Sequence, residues 1–256
     1  MRTFIAFMKK ELTEQIRAGK LLLLGILFFV LGVMNPAVAM LTPWLLEVFA
    51  ESLEGSGITV TQVTVTALDS WMQFYKNIPM GLIVFLLAEG GIFTSEYSGG
   101  TLALTLTKGL ARYKVTLAKS STLALLWSGG YWLTFLITYL YNAYFWDNSV
   151  AKSLMASAIY WWVFGLLTVA LTVLFSCLLR SYSGVLLGVG GVILSSYLLG
   201  LIPRLKGVVP TALAEGNSLI YGLEQASLYL PALIIALALS AVSISVAVVV
   251  FNKKQL

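Results

Sequence analysis

The chain has 256 residues; 59% are aliphatic, aromatic or cysteine, 11% are charged, the net charge is +5 and the mean hydropathy is +0.91. Soluble domains carry about 25% charged residues, so this chain has too little polar surface to face water and reads as one integral membrane domain. Its single cysteine, Cys177, excludes an intramolecular disulfide, and the lack of histidine excludes His-based triads, proton relays and His metal ligands.

Residues 2–19 form the first expected element. Phe4, Ile5, Met8, Leu12 and Ile16 recur at three- and four-residue spacing, and Lys10, Thr13, Glu14 and Arg17 fall away from that face. Lys10–Glu14 and Glu14–Arg17 can pair along the helix. A basic amphipathic helix of this kind rests in the headgroup layer, as an anchor or as an elbow that also meets a partner. A cleaved signal peptide is the competing reading, with Ala37-Val38-Ala39 as its cleavage site. The long amphipathic stretch ahead of the apolar run argues against it.

Crossing about 30 Å of hydrocarbon takes roughly 20 apolar residues in a helix. Six segments meet that length, at about 21–42, 72–93, 120–142, 154–178, 183–202 and 228–251. Barrel strands are shorter and alternate in polarity, so the expected fold class is all-α. Six spans put both termini on one side, with Arg2, Lys9, Lys10, Arg17, Lys20, Lys108, Arg112, Lys114, Lys119, Arg180, Lys253 and Lys254. Only Lys76, Lys152, Arg204 and Lys206 fall on the other side, so the termini are expected to be cytoplasmic. The positive charge is then mostly topology, and no nucleic-acid partner is expected.

Between the spans, residues 43–71 read as an acidic outer loop. The stretch 203–228 reads as two short helices dipping into the outer leaflet, the first capped by Thr211 and broken at Gly216-Asn217. In the fifth span Gly184, Gly188, Gly191 and Ser195 are spaced to let another helix approach, within the chain or in a second copy. Trp44, Trp71 and Phe74 belong to a crowd of aromatics at the outer ends of spans one to three. They read as an interfacial belt or as the wall of a path for an apolar substrate. Glu89 and Glu96, two helical turns apart, share a face near the inner end of span two. An intramembrane carboxylate such as Glu89 is a functional candidate by its cost alone.

Several chemistries are missing. The only Gly-Lys pair, Gly19-Lys20, is followed by Leu21 and lacks a phosphate-binding loop around it. No metal cluster or nucleophile constellation is present, so no cofactor is expected in this chain and no enzymatic role. Paired interrupted segments of the kind seen in many secondary transporters are also absent.

The stretch "SEYSGGTLALTLTKGLARYKVTLAK", 95–119, carries Glu96, Gly100, Thr101, Leu102, Leu106, Thr107, Lys108, Arg112, Ala118 and Lys119. In these residues and in its layout the chain resembles ABC-2 type transporter permeases. It departs from that pattern at Gly109, where the family usually has proline. The resemblance implies an amphipathic elbow helix over 1–20 and a six-span domain over 21–256. A cytoplasmic coupling helix would lie at about 96–107 and a re-entrant segment at about 203–228. It further implies that Leu102, Leu104 and Leu106 dock by apolar contact, and Glu96 by polar contact, on a separate ATPase subunit. That partner would be present in two copies and would bind ATP and Mg. A second permease copy would complete the unit in a bacterial cytoplasmic membrane. Small permeases of this type are similar to exporters of antimicrobial, bacteriocin and phenol-soluble modulin peptides, so an amphipathic peptide is the expected cargo. The rival readings are a stand-alone channel or carrier, and a non-transporting immunity or sensor protein.

Overall fold

The computed structural model describes residues 2–52, 64–100 and 111–254, and it holds helices and no strands among them. In chain order the helices are α1 (Arg2–Arg17), α2 (Lys20–Ser52), α3 (Ala67–Glu89), α4 (Thr94–Gly99), α5 (Arg112–Phe145), α6 (Leu154–Leu178), α7 (Tyr182–Gly200), α8 (Gly216–Ile220) and α9 (Leu230–Lys253). Six are long and apolar enough to cross a membrane: α2, α3, α5, α6, α7 and α9. The protein is therefore membrane-embedded.

The helix ends differ from the expected spans for a physical reason. α6 begins and ends where its apolar run does. α5 starts at Arg112 rather than at 120, because Arg and Lys end a membrane run yet are good helix formers. α2 continues to Ser52 through Pro36 and Pro43. Proline removes one helical hydrogen bond and frees the carbonyl four residues earlier. For Pro36 that carbonyl belongs to Gly32, and Thr138 Oγ1 of α5 donates to it at 3.1 Å. Thr138 in turn accepts from Asn35 Nδ2 at 3.1 Å, and Asn35 Oδ1 accepts from Asn77 Nδ2 at 3.0 Å. This ladder joins α2, α3 and α5 at a depth where water cannot serve the backbone.

α6 is the most enclosed span, packed against α5, α7 and α9. Its approach to α5 is permitted by Gly165, where an added Cβ would overlap the fully buried Trp127 ring. Trp127 continues into a run of rings through Tyr131, Phe74, Phe135 and Trp71. Trp71, Phe74 and Tyr75 thus belong to the core, whereas Trp44, Phe49, Tyr141 and Tyr144 remain exposed as belt residues do.

The segment 201–229 folds back against α6. It contains a 3-10 turn at Pro210–Ala214, the short α8 and a second 3-10 turn at Ala226–Tyr229. Trp161 Nε1 donates to Ala214 O at 2.9 Å, Ser157 Oγ to Gly216 O at 3.2 Å and Tyr160 Oη to Ala226 O at 2.8 Å. Thr211 does not cap a helix as expected. Proline 210 fills the first helical position after Val209, and Thr211 is buried with its hydroxyl 3.1 Å from Ser196 Oγ. Gly216 opens α8 instead of breaking a helix, and α8 stops at Ile220, two residues before Gly222 at φ +67°.

Both termini meet at one end of the bundle. Lys114 Nζ donates to Thr3 Oγ1 at 3.1 Å, and Arg112 donates to the carbonyls of Phe251, Asn252 and Lys254. Arg112 so closes the end of α9, and Lys254 Nζ closes that of α6 by donating to Cys177 O at 2.7 Å.

Gly165→Ala should destabilise the protein by about 1–3 kcal/mol through overpacking. Gly129→Ala, where an added Cβ meets nothing within 4 Å, should not destabilise it. Thermal unfolding in detergent compares the two, and equal melting temperatures would contradict the close approach of α5 and α6.

Candidate functional site

The densest polar group lies where α1 meets the ends of α3, α4 and α5. α1 presents three stripes. The expected apolar stripe is only partly covered, with Ile5 and Ile16 exposed. The buried stripe is instead Phe7, Glu11 and Gln15, four residues apart. Lys10, Thr13, Glu14 and Arg17 lie to the other side.

Glu11 Oε2 pairs with Lys119 Nζ at 2.8 Å, and Lys119 reaches Glu96 Oε1 at 3.2 Å. Lys119 is 2% exposed, with its ammonium 5.6 Å from the centre of the Phe93 ring. Although its place between two spans would suit a basic residue at the membrane surface, Lys119 lies inside, between two carboxylates. Lys10 Nζ contacts Glu14 at 2.6 Å, Glu11 at 3.1 Å and Glu96 at 3.3 Å. The oxygens of Glu11, Glu14 and Glu96 lie within 4.8 Å of one another, and the Lys10 ammonium reaches all three. Together with Lys119 it supplies the positive charge of this group.

Glu89 is wholly buried at the end of α3. Its Oε2 accepts from Gln15 Nε2 at 2.7 Å and lies 3.6 Å from Lys20 Nζ. The sequence offered no base near it; the fold brings Lys20 from the start of α2. The last carbonyls of α3 are also capped from outside the helix. Tyr182 Oη donates to Leu87 O at 2.6 Å, Lys20 to Ala88 O at 2.8 Å and Ser176 Oγ to Gly90 O at 3.3 Å. Glu89 and Glu96 are not on one continuous helix as expected, because a turn over 90–93 separates α3 from α4. Four carboxylates, Glu11, Glu14, Glu89 and Glu96, thus meet three ammonium groups, Lys10, Lys20 and Lys119. Buried Glu89 Oε1, Glu96 Oε2 and Gln15 Oε1 have no hydrogen-bond partner among the described residues.

No protein-family model matches this chain, and no curated protein is significantly similar to it.

The other singled-out residues are dispersed. Thr101, Leu102, Leu104, Leu106 and Lys108 lie outside the described residues. Of the stretch 96–107, Glu96 to Gly99 complete α4, and Gly100 at φ +67° ends it in the left-handed conformation glycine favours. Arg112, on the far side of 101–110, holds the end of α9. Trp44 is 58% exposed, and Trp71 and Phe74 are enclosed by other rings. Gly184 and Gly188 approach Leu179 and Phe175, whereas nothing lies within 4 Å of a Cβ added at Gly191. Gly188, Gly191 and Ser195 instead help line an apolar cavity of about 500 Å³ between α6, α7 and the Pro210 turn, with Leu239 of α9 at its edge.

Sequence reading missed Glu11, Gln15 and Lys119 as one group. The available signal was Phe7-Glu11-Gln15 at helical spacing, a polar-ended stripe beside the apolar one.

Breaking a buried ion pair from one side costs about 3–5 kcal/mol, because it leaves a charge unpaired. Lys119→Met and Glu11→Met should each lower thermal stability, and the double substitution should cost less than the sum of the two. Additive losses in a double-mutant cycle would dissolve the pairing.

Acid should act through α1. The hydrogen bond from Lys10 holds the Glu14 carboxyl below its usual range, against the opposing effect of burial. Burial alone would lower the Lys10 value, but the bond to Glu14 and the charges of Glu11 and Glu96 outweigh it and raise it. A depressed carboxyl contributes stability above its unfolded value, about 4.3, and loses it as pH falls through the folded one. A raised lysine contributes below about 10.4 and loses it above. Thermal stability should therefore be flat across neutral pH and fall in acid, and Lys10→Gln should flatten that acid fall. An unchanged acid limb in Lys10→Gln would rule out this linkage.

Proposed function

We propose that this chain is the membrane-spanning subunit of an ATP-driven exporter of the ABC-2 type, paired with a second copy and served by two separate ATPase subunits. The observation that carries this reading is the treatment of the two flanks of 101–110, the stretch whose sequence resembles a coupling helix. On one flank Glu96 is gripped by Lys10 of α1 and Lys119 of α5. On the other, Arg112 binds the terminal carbonyls of α9. Tyr97 and Lys254 join the two flanks, with the ammonium 4.3 Å from the ring centre. A push on 101–110 by an ATPase is therefore delivered to α1, α5 and α9 together. In this reading α1 is the elbow helix, the end that gathers both termini is cytoplasmic, and the membrane is the bacterial cytoplasmic membrane. ATP and Mg belong to the partner, because this chain carries no phosphate-binding loop.

An amphipathic peptide is the cargo this reading favours. The cavity beside α7 is walled by Phe164, Leu167, Leu171 and Leu187 and dotted with the hydroxyls of Thr168 and Ser195. Such a lining suits apolar side chains carried on a helix with occasional polar groups.

Co-expression with an ABC-type ATPase subunit from the same genome tests the proposal. The wild-type protein should co-purify with that ATPase, and Leu102→Arg with Leu106→Arg should abolish co-purification while the permease still inserts and folds. Retained binding by that variant would remove 101–110 as the docking element.

A further inference from the structure

The corner where α1 turns into α2 carries a second polar and apolar arrangement, separate from the buried ion pairs. Gly19, at φ +72°, makes the turn. Below it Ile16, Leu21, Leu22, Ile26 and Phe29 form an open apolar groove of about 480 Å³. Its floor is Gly25, where an added Cβ would meet nothing within 4 Å. The walls are exposed: Ile16 at 60% and Leu22 at 68%. Leu22 belongs to α2, one of the helices long and apolar enough to cross a membrane.

Directly above, along α1, runs a shallow polar depression lined by Lys9, Lys10, Thr13, Glu14 and Arg17. Its charges are not equivalent. Glu14 is taken by Lys10, which is shared with Glu11 and Glu96. The Glu14–Arg17 pair expected from spacing does not form, because Lys10 takes that carboxylate. Lys9 and Arg17 are exposed and have no ion-pair partner among the described residues. The Thr13 hydroxyl lies between them and donates to Lys9 O at 2.8 Å, leaving its oxygen open as an acceptor only. Two cations without counter-charge therefore stand over an apolar groove that begins one helical step away.

We propose that this corner is a binding site for one anionic phospholipid. The phosphate sits between Lys9 and Arg17, and one acyl chain lies in the groove over Gly25, between Leu22 and Phe29. Charge complementarity selects the occupant: a basic depression that reaches Arg17, next to an apolar groove that begins at Ile16, matches a negatively charged headgroup with its chain attached. A zwitterionic lipid satisfies the groove but brings its own cation to the two basic residues. The lipid would pin the α1–α2 corner from outside, as Lys20 pins it from inside through Glu89. This site is independent of any transport role.

The test uses the full chain reconstituted in bilayers of equimolar phosphatidylglycerol and phosphatidylcholine, extracted gently and weighed with bound lipid by native mass spectrometry. The wild-type protein should retain phosphatidylglycerol over phosphatidylcholine on the order of tenfold, as expected for two basic side chains at an anionic surface. Lys9→Gln with Arg17→Gln should lose that preference and keep lipid of either kind. Gly25→Leu should reduce retention of both lipids, because its side chain fills the groove. Lys253→Gln, a basic residue at the same end but away from the corner, should change nothing. Retention in the bulk ratio by the wild-type protein would overturn the site, and so would an undiminished preference in Lys9→Gln with Arg17→Gln. Size-exclusion profiles matching the wild type show that the variants are folded.

Discussion

The end of this protein that gathers both termini is organised by one constraint: a charge removed from water must be paired. Lys119 is enclosed, so Glu11 and Glu96 have to come to it, and they arrive from different elements. Glu11 brings α1, and Glu96 brings α4. Taking ions out of water costs several kcal/mol each, so such a group adds little net stability over a well-packed apolar one. What it adds is position. An apolar α1 could slide or rotate on the bundle with small loss; an α1 whose Glu11 and Gln15 must meet Lys119 and Glu89 has one seat.

The same requirement, applied to the backbone, explains the polar residues inside the spans. At membrane depth a freed carbonyl finds no water. Thr138 exists for the carbonyl that Pro36 releases, and Trp161, Ser157 and Tyr160 for the carbonyls of the folded-back segment at 201–229. These side chains are the local answer to backbone that departs from the helix.

The long helices were legible because hydrocarbon thickness sets a length, and runs such as 154–178 match it without interruption. Helix ends were less legible. Charge marks where lipid ends, not where helix ends, so α5 extends back to Arg112 through residues that suit both water and helix. The fold of 203–228 was legible as broken helix but not in its register, because proline at 210 and glycine at 216 each fit more than one cap. The ionic group was least legible. Glu11 and Lys119 are 108 positions apart, and each looks like a surface residue in its own neighbourhood. Glu89 was found because its surroundings are apolar in sequence; its partners Gln15 and Lys20 come from elements that no local pattern connects to it.

At this same end, helix termini carry connections as well as helix faces. Arg112 binds carbonyls at the end of α9, Lys254 a carbonyl at the end of α6, and Lys20, Tyr182 and Ser176 carbonyls at the end of α3. Each of these ends has orphan acceptors and attracts a cation or a hydroxyl from a neighbour. The donors are borrowed across helices, so no end can move without releasing a partner. Glu96 and Arg112, on either side of 101–110, both belong to this set: Glu96 through Lys10 of α1 and Lys119 of α5, and Arg112 through the terminal carbonyls of α9.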